Sequence, residues 1–459
     1  VQPDYAAAYL MLGKMLLDKE QIIDALESYS KALEINPELV DAQIVLLFNL
    51  HYTIHKPADY LAGARKVGRG LGKKVSARFT TWQCDSHPQK LKVGLLSPDL
   101  CNHPVGYFLE GLLAHLDYSR IELVAYCSNV KKEDNLTARI KPYFALWRQV
   151  ADLDDQSAAQ LIHSDGVNVL LDLSGYTTHT RFPVFAWKPA PVQATWLGYF
   201  ASTGVAEMDY ILADEHVAPR SEESHFTETV WRLPNSYLCF TPPDVALEIK
   251  PLPALSTHQI TFGCFNNLVK MNDGVIVLWS RVLLAIPDSH LFLKTKQLNN
   301  AEMCEATRQK FAAHGISPDR LLLEGSSPRA ELLAAYQRVD IALDPFPYPG
   351  GTTSVEPLWM GVPVLTKCGD RFLSHMGESI LHNAGLPDWI AKDDDDYVAK
   401  AIAHTSNIER LAELHSGLRE QVLASPLFDA PRFAKNFEAA LWGMWQAKQP
   451  ALMGEADMK

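Results

Sequence analysis

The residues whose types and spacing point most directly to chemistry lie in the segment 344–361, DPFPYPGGTTSVEPLWMG, which predicts a strand end, a proline-rich turn and a helix start. Gly350 and Gly351 can adopt positive φ and let a ligand approach the backbone closely. The hydroxyl residues 352–354 are good N-cap candidates, and the free N–H groups of a helix start attract an anion. Glu356, expected in the first turn, could accept hydrogen bonds from a sugar. The segment therefore predicts a nucleotide-sugar site, with an ordinary capped glycine turn as the alternative.

A second candidate segment, GCFNNLVKMND at 263–273, directly follows a predicted strand. Lys270 is a cation suited to a departing diphosphate, on which negative charge grows during transfer. Asn266 and Asn267 carry amides that could hydrogen-bond a sugar or phosphate oxygens. A lone lysine at a helix start is usually solvated, but the glycine segment in the same half of the chain favours phosphate contact.

The first half of the chain offers a histidine at a comparable place. The run LKVGLLS (91–97) predicts a strand, and Pro104 suits the first position of the helix that follows. His103 therefore lies at a strand-to-helix turn, where it could donate to a sugar hydroxyl or phosphate, or move a proton. The alternative is a histidine that only caps its own loop.

These side chains need a scaffold, and the apolar pattern from Leu91 onward predicts one. Short apolar runs alternate with helical stretches, which indicates parallel sheets covered by helices on both faces. The candidate strands form two series, 91–97, 122–128, 167–175, 192–199 and 208–214, then 260–266, 289–295, 320–326, 339–346 and 362–366. A proline-rich run at 241–258 separates them as a linker. We therefore expect an α/β fold of two Rossmann-like halves with ligands at the carboxyl ends of their strands.

The first fifty residues match one α-helical tetratricopeptide repeat. Eight positions fall at the spacing of this repeat in a single register: Tyr9, Leu12, Gly13, Leu16, Ala25, Tyr29, Ala32 and Pro37. Pro3 lies where a preceding repeat would end, so we expect a truncated array whose upstream repeats bind protein. Because one repeat cannot bury its faces alone, this unit should pack on the domain that follows.

The organisation predicted from these patterns has five parts. They are a repeat segment at 1–50, a helical linker at 51–87, an N-terminal catalytic Rossmann-like domain at 88–245, a C-terminal nucleotide-sugar-binding Rossmann-like domain at 246–425 and a C-terminal helix at 426–459. The last of these is amphipathic over RFAKNFEAALWGMW.

Composition narrows the class of protein. A formal net charge of −12 argues against a nucleic-acid partner, which would require a basic face. No apolar run approaches the length that spans a bilayer and no signal-peptide pattern is present, so we expect no membrane partner. Seven scattered cysteines without a CxxC pair favour neither disulfides nor zinc and fit a reducing cytoplasm. The acidic run 393–396 is typical of a solvated helix start, so we expect no metal and no other cofactor.

Several blocks of the chain resemble the catalytic region of the O-linked N-acetylglucosamine transferase family, including its bacterial and SPINDLY-like members. They follow the repeat and include SPDLCNHPVGYF, DLSGYTTHTR, KPAPVQATWLGYFASTG, MDYILAD, FNNLVK, LDPFPYPGGTTSVEPLWMGVPV and SPLFDAPRF, so the resemblance covers nearly the whole chain. It implies a fold of GT-B type, with two Rossmann-like domains facing a cleft. It also implies an inverting, metal-independent transfer of a sugar from a nucleotide donor to a polypeptide.

The same resemblance implies roles for single residues. His103 matches the active-site histidine, Lys270 matches the lysine that neutralises the donor diphosphate, and Glu356 takes the place of a ribose-binding aspartate. The nucleotide-sugar contacts it implies are Asn267, Ser327, Arg329, Gly350, Gly351, Thr352, Thr353 and Glu356, with Tyr176, Thr177 and Gly198 on the acceptor and sugar side.

The chain also departs from the animal members of that family. Asn267 stands in place of a glutamine, Gly351 and Tyr107 in place of histidines, Arg329 in place of a lysine, and Leu332 in place of a histidine that contacts uracil. Because plant SPINDLY enzymes of similar pattern use GDP-fucose, the change at Leu332 leaves the nucleotide base open.

The function implied is transfer of N-acetylglucosamine from UDP-GlcNAc to serine and threonine hydroxyls of polypeptides. Two enzymatic alternatives keep the fold and use GDP-fucose or UDP-glucose, in the latter case with asparagine as acceptor. A third alternative is a non-catalytic repeat scaffold whose α/β region binds nucleotide only as a regulator.

Overall fold

The computed structural model describes residues 5–18, 21–53, 56–129 and 133–454, so Pro3 lies outside the described residues. Internal contacts divide the chain into two units. The first runs up to Tyr237 and resumes at Phe433, and the second is Leu238–Arg432. The change of unit thus falls before the predicted boundary at 245/246, and most of the C-terminal helix belongs to the first unit and is not a separate part.

Four helices precede the first sheet: α1 (Ala6–Asp18), α2 (Ile22–Ile35), α3 (Val40–Asn49) and α4 (Pro57–Lys74). In the repeat, Gly13 of α1 faces the ring of Tyr29 on α2, which would lie only 2.9 Å from a Cβ at position 13. Ala25 and Tyr29 share a small core with Ala42 of α3. Since α3 and α4 contribute to the main core of the first unit, the repeat is anchored to that unit through α3.

The first sheet has seven parallel strands in the order β3-β2-β1-β4-β5-β6-β7. Its elements are β1 (Leu91–Ser97), α5 (Pro104–His115), β2 (Ile121–Cys127), α6 (Asn135–Ile140), β3 (Leu146–Gln149), α7 (Asp155–Ser164), β4 (Val169–Asp172), β5 (Val192–Thr195), β6 (Tyr210–Ala213) and β7 (Thr229–Arg232). The order of its first six strands is that of a Rossmann fold.

The second sheet repeats that order with six parallel strands, β10-β9-β8-β11-β12-β13. Its elements are α8 (Ala254–Thr257), β8 (Thr261–Cys264), α9 (Asp273–Ala285), β9 (His290–Lys294), α10 (Ala301–Ala312), β10 (Leu321–Glu324), α11 (Arg329–Ala335), β11 (Ile341–Leu343), α12 (Thr352–Trp359), β12 (Val364–Lys367), α13 (Phe372–Asn383), β13 (Ile390–Ala391), α14 (Asp394–Thr405) and α15 (Ile408–Leu423).

The last helix, α16 (Ala430–Gly454), packs on the first sheet for most of its length. The ring of Phe437 lies 4.7 Å from that of Trp196, which follows β5, and the Glu438 carboxylate accepts a hydrogen bond from the Asp117 N–H. Among the described residues, the longest helices are too short or too polar to cross a bilayer.

Each of the ten strands expected from the sequence overlaps an observed strand. The three that the pattern missed, β3, β7 and β13, are short, and β3 and β7 are half exposed. Short or half-exposed strands lack the long apolar run by which a buried parallel strand is recognised.

A close contact between two glycines holds α4 against the loop between β5 and β6. A Cβ at Gly68 would lie 1.9 Å from the Gly204 carbonyl oxygen, which cannot move aside as a side chain could. Replacing Gly68 by alanine should therefore lower the free energy of unfolding by about 3 kcal/mol, through overpacking. Thermal unfolding measures this loss.

The control is Gly72→Ala on the same helix. The nearest atom there is the end of the flexible Arg78 side chain, at 3.1 Å. Alanine should be tolerated at position 72 or slightly stabilise the helix, because glycine is a poor helix former. Equal melting temperatures for the two variants would show that the glycine contact does not hold α4 in place.

Candidate active site

The order of the second sheet reverses between β8 and β11, which pair at its centre. In open parallel sheets, ligands bind outside the carboxyl ends of the strands at such a reversal. The loop 265–272 leaves β8 at this point, and the loop 344–351 leaves β11. Topology therefore brings together the two segments that the sequence marked for phosphate binding.

Lys270 joins these two loops. Its ammonium donates to the Asn266 Oδ1 atom at 3.1 Å and to the Pro349 carbonyl oxygen at 2.9 Å. It also lies 3.9 Å from the centre of the Tyr348 ring, a cation–π distance. Burial lowers the pKa of Lys270 to about 8, against the opposing effect of the nearby Asp344 carboxylate. The ammonium is thus poorly hydrated, and a phosphate beside it would be strongly attracted.

The start of α12 differs from the predicted cap. Gly351 is the N-cap and makes no side-chain cap bond, so the assignment of residues 352–354 as capping residues is wrong. The hydroxyls point elsewhere: Thr353 donates to Asn266 Oδ1 at 2.8 Å, and Ser354 donates to Asp344 Oδ1 at 2.7 Å. Within the described residues, the N–H groups of Thr352 and Thr353 have no acceptor. Unpaired N–H groups at a helix start are suited to an anion.

Asp344 holds the glycine turn in place through hydrogen bonds. It follows β11 directly, is 2% exposed, and accepts hydrogen bonds from the Gly350 N–H at 3.2 Å and the Ser354 hydroxyl. Burial raises the pKa of this carboxyl to about 6, and the hydrogen bonds to Ser354 and Gly350 oppose the rise. Sequence reasoning did not single out Asp344. An acid placed directly after a buried strand was the signal that could have found it.

Glu356 lies just beyond the first turn of α12, in which it was predicted, and forms an internal ion pair. Its Oε1 atom is 2.7 Å from Nη1 of Arg329, the first residue of α11, and its side chain is only 3% exposed. Burial raises the pKa of Glu356, and the Arg329 guanidinium opposes this. The predicted picture of an open carboxylate in the first helical turn is therefore corrected: its charge is neutralised by Arg329.

This pair gives a stability prediction. Replacing Arg329 by methionine should lower the free energy of unfolding by about 2 kcal/mol, less than for a fully buried pair because Arg329 is partly exposed. The carboxyl would then have a still higher pKa in the folded state, so the loss should be small in acid, grow as the pH rises towards that pKa and level off above it. Urea unfolding on either side of neutrality measures it. Adding Glu356→Gln should restore stability, and a loss independent of pH would contradict the pairing.

Two further predicted residues flank this centre. Asn267 is exposed and caps the 3₁₀ turn Leu268–Lys270, accepting hydrogen bonds from the Val269 N–H and the Gln297 amide. Ser327 lies in the loop between β10 and α11, and its hydroxyl is buried without a hydrogen-bond partner among the described residues. Their contacts with a nucleotide stay predictions.

In the first unit, His103 is the N-cap of α5, with Pro104 at the first helical position as expected. Its Nδ1 atom accepts from the Val105 N–H at 3.3 Å and lies 3.7 Å from the Asp99 carboxylate. An Nδ1 that accepts a backbone hydrogen bond places the proton of the neutral ring on Nε2. The histidine thus caps its own helix, as the structural alternative required, and its side chain is still 42% exposed.

The acceptor-side residues lie at the strand reversal of the first sheet. Tyr176 is buried and its hydroxyl donates to the Thr203 carbonyl, so a ligand contact by its side chain is not supported. Thr177 has a buried hydroxyl that finds no partner among the described residues. Gly198 packs on the backbone after β4, where a Cβ would lie 2.0 Å from the Leu173 carbonyl oxygen.

A family model and curated relatives match most of this chain. The family model described as Glycosyl transferase family 41 matches residues 71–244 and 241–437. A tomato (Solanum lycopersicum) protein named probable UDP-N-acetylglucosamine–peptide N-acetylglucosaminyltransferase SPINDLY is 36% identical over 423 residues, covering 90% of this chain and 45% of the relative. The chain spans about half the length of the curated relatives it matches.

Solved structures match as well. The structure of a lysine-to-methionine mutant of the Thermobaculum terrenum O-GlcNAc transferase has a TM-score of 0.89 and 32% identity, covering 98% of this chain and 86% of that one. An Anabaena HepE complex with UDP-glucose has a TM-score of 0.51 at 11% identity, covering 77% of this chain and 100% of that one, which is a likeness of fold alone. The predicted α/β fold of GT-B type, with a helical segment before it, is confirmed.

Proposed function

This chain belongs to glycosyl transferase family 41, and we propose that it is an inverting transferase moving N-acetylglucosamine from UDP-GlcNAc to serine and threonine hydroxyls of polypeptides. The observation that carries the proposal is the convergence of Lys270 and Thr353 on one oxygen of Asn266, at the strand reversal of the second sheet. A cation beside a helix start with unpaired N–H groups is the arrangement that a leaving diphosphate requires.

The reaction we propose is one in-line displacement. The acceptor oxygen forms a bond to the anomeric carbon as the bond from that carbon to the β-phosphate oxygen breaks, which inverts the configuration. The electron pair of the broken bond leaves with the nucleoside diphosphate, where Lys270 and the N–H groups of Thr352 and Thr353 stabilise the new charge. These groups supply positive charge without a metal ion.

We assign orientation of the sugar or acceptor to His103, whose exposed ring carries its proton on Nε2 and can donate it to a sugar or acceptor oxygen. The ring takes the acceptor proton at Nδ1 only when the cap bond to the Val105 N–H is released. The cap bond to the Val105 N–H holds the ring in one orientation. Breaking this cap alone would change the ring orientation, so the histidine and its helix start act together. In this proposal Glu356 contributes to the site by holding Arg329 in place through their ion pair.

The donor and partners follow the names of the relatives. Those names give UDP-N-acetylglucosamine and peptide as the substrates of the SPINDLY-named proteins, and we extend both to this chain. Leu332, in place of a base-contacting histidine, keeps GDP-fucose as the second candidate donor. Upstream repeats would select protein partners, and we propose a cytoplasmic setting without nucleic-acid or membrane partners.

A donor panel tests the proposal. The purified chain is incubated with UDP-GlcNAc, UDP-glucose or GDP-fucose, with and without a peptide library rich in serine and threonine. We expect UDP release from UDP-GlcNAc and a matching mass increase on peptides at hydroxyl residues. Release of GDP, or modification at asparagine, would replace the donor or acceptor while keeping the enzyme class. No release from any donor would favour the non-catalytic scaffold.

A further inference from the structure

Asn266 lies at the point where the two phosphate-site loops meet. It follows β8, is 4% exposed, and its Oδ1 atom accepts two hydrogen bonds, from the Lys270 ammonium at 3.1 Å and the Thr353 hydroxyl at 2.8 Å. Its amide nitrogen contacts the Cys264 sulfur at 3.7 Å. Because an ammonium can only donate, the atom facing it must be the amide oxygen, which fixes the orientation of the side chain.

A neutral amide suits this place better than either a charged or an apolar side chain. Its oxygen has two lone pairs, one for each donor, and it brings no net charge. A carboxylate would also accept both bonds but would neutralise the cation that must attract the diphosphate. An apolar side chain would leave the buried ammonium with the Pro349 carbonyl as its one remaining hydrogen-bond acceptor in the described region.

We propose that Asn266 is the positioning residue of the donor site: its amide oxygen ties the Lys270 ammonium to the Thr353 hydroxyl, so that both loops present one anion site. This inference rests on the proposed function, since the anion is the diphosphate of a nucleotide sugar. Asn266 acts through its two neighbours and needs no contact with the donor. The earlier expectation that Asn266 hydrogen-bonds sugar or phosphate is replaced by this role.

The proposal can be tested by measuring the pKa of Lys270, which a purely structural role of Asn266 in packing would not change in the way described below. The groups facing the ammonium are the Asp344 carboxylate after β11, the Cys264 thiol on β8 and the Tyr348 ring. Burial raises the pKa of Asp344 to about 6 and the pKa of Cys264 to about 12, so both titrate away from the range near 8 expected for Lys270. A change in this range therefore reports on the lysine.

Two substitutions should shift Lys270 in opposite directions. Asn266→Leu removes an acceptor from the buried ammonium and should lower the pKa of Lys270 by about one unit. Asn266→Asp places a carboxylate at the same atom and should raise the pKa by about one unit or more. Both should weaken binding of UDP or GDP about tenfold, the first by loosening both loops and the second by adding a like charge to the anion site.

The lysine is measured by labelling the full chain with acetic anhydride across a pH series, with mass spectrometry of each lysine peptide and the exposed Lys310 as internal reference. Nucleotide affinity is measured by calorimetry on the same proteins. Asn407→Asp, which adds the same charge at an exposed helix cap outside the site, should leave both readouts unchanged. Thr353→Val should weaken nucleotide binding and leave the labelling profile of Lys270 unchanged.

The outcomes separate this inference from the proposed function. The role of Asn266 is overturned if the leucine and aspartate variants bind nucleotide with the affinity of the wild-type chain. It is also overturned if the pKa of Lys270, measured by labelling, shifts in the same direction in both variants. Either result leaves the proposed function standing. If the leucine variant fails to fold, the near-isosteric aspartate variant still decides by the direction of its shift. A wild-type chain that binds neither UDP nor GDP would overturn the proposed function, and the positioning role with it.

Discussion

Replacing Lys270 by alanine should lower turnover about a thousandfold while leaving the fold intact. The ammonium supplies charge where the leaving diphosphate gains it, and loss of one such group typically costs a factor of a hundred to a thousand or more. The fold should tolerate the change, because the side chain bonds one amide oxygen and one carbonyl between two loops and is not part of the apolar core. Steady-state release of nucleotide, with circular dichroism as the check on folding, measures the effect.

The same residue sets a pH dependence. Because burial lowers the pKa of Lys270 to about 8, the neutral amine gains population above that pH in the free enzyme. The value of kcat/KM should therefore fall as the pH rises through about 8, and the alanine variant should lack this limb. Lys310→Ala, an exposed change on α10 of the same unit, should keep wild-type turnover and profile. Near-normal turnover in Lys270→Ala would refute the role given to the ammonium.

Replacing Gly350 by alanine should lower turnover about a hundredfold. A Cβ there would lie 2.3 Å from the Ser354 hydroxyl and 2.4 Å from the Thr353 hydroxyl, so both side chains and the start of α12 must shift. Misplacing positioning groups by about 1 Å is enough for a loss of this size. The Gly350 N–H would also leave the Asp344 carboxylate that holds it. Turnover and nucleotide affinity should fall together.

The matched control for that glycine is Gly417→Ala on α15. No atom lies within 4 Å of a Cβ built at position 417, so alanine should add helix stability of about 0.5–1 kcal/mol and leave turnover unchanged. Equal activity in the two alanine variants would show that the turn at Gly350 can accommodate a Cβ. It would contradict the claim that close packing at Gly350 positions the phosphate-binding groups.

The fold followed from the sequence because its signals are local. Buried parallel strands require unbroken apolar runs, and each of the ten runs assigned as strands overlaps a strand of one of the two sheets. The repeat was visible because Gly13 and Tyr29 must face each other for its helices to pack, and the structure shows that contact. The end of the first unit at Tyr237, by contrast, depends on whether the irregular segment that follows makes more contacts with the first unit or with the second. No local pattern encodes that.

The site was predicted only in part. Lys270 and Thr353 were assigned to one anion site, and the structure joins them through Asn266. The capping of α12 and the state of Glu356 were not predicted correctly. A hydroxyl residue at a helix start can hydrogen-bond several groups, and the Thr353 hydroxyl donates to the Asn266 amide oxygen, which is distant in sequence. A charged residue such as Arg329 changes the role of Glu356 through a tertiary contact that spacing cannot reveal.

The resemblance inferred from the motif blocks is confirmed by family membership and by the relatives at 34–36% identity. It supplied what local physics could not, namely the substrate class that we propose. The physics supplied what the resemblance could not, since the aligned positions do not show that the Tyr176 hydroxyl is engaged with a backbone carbonyl or that Asp344 holds the glycine turn.

The most direct measurement is a crystal structure of the chain soaked with UDP and, separately, with GDP. We expect β-phosphate oxygens within hydrogen-bonding distance of the Lys270 ammonium and of the N–H groups of Thr352 and Thr353, at about 2.7–3.2 Å. Asn266 should keep both of its donors. A diphosphate bound elsewhere, with the Lys270 ammonium still turned to Pro349 and no anion at the start of α12, would contradict the central claim that these loops form the donor site.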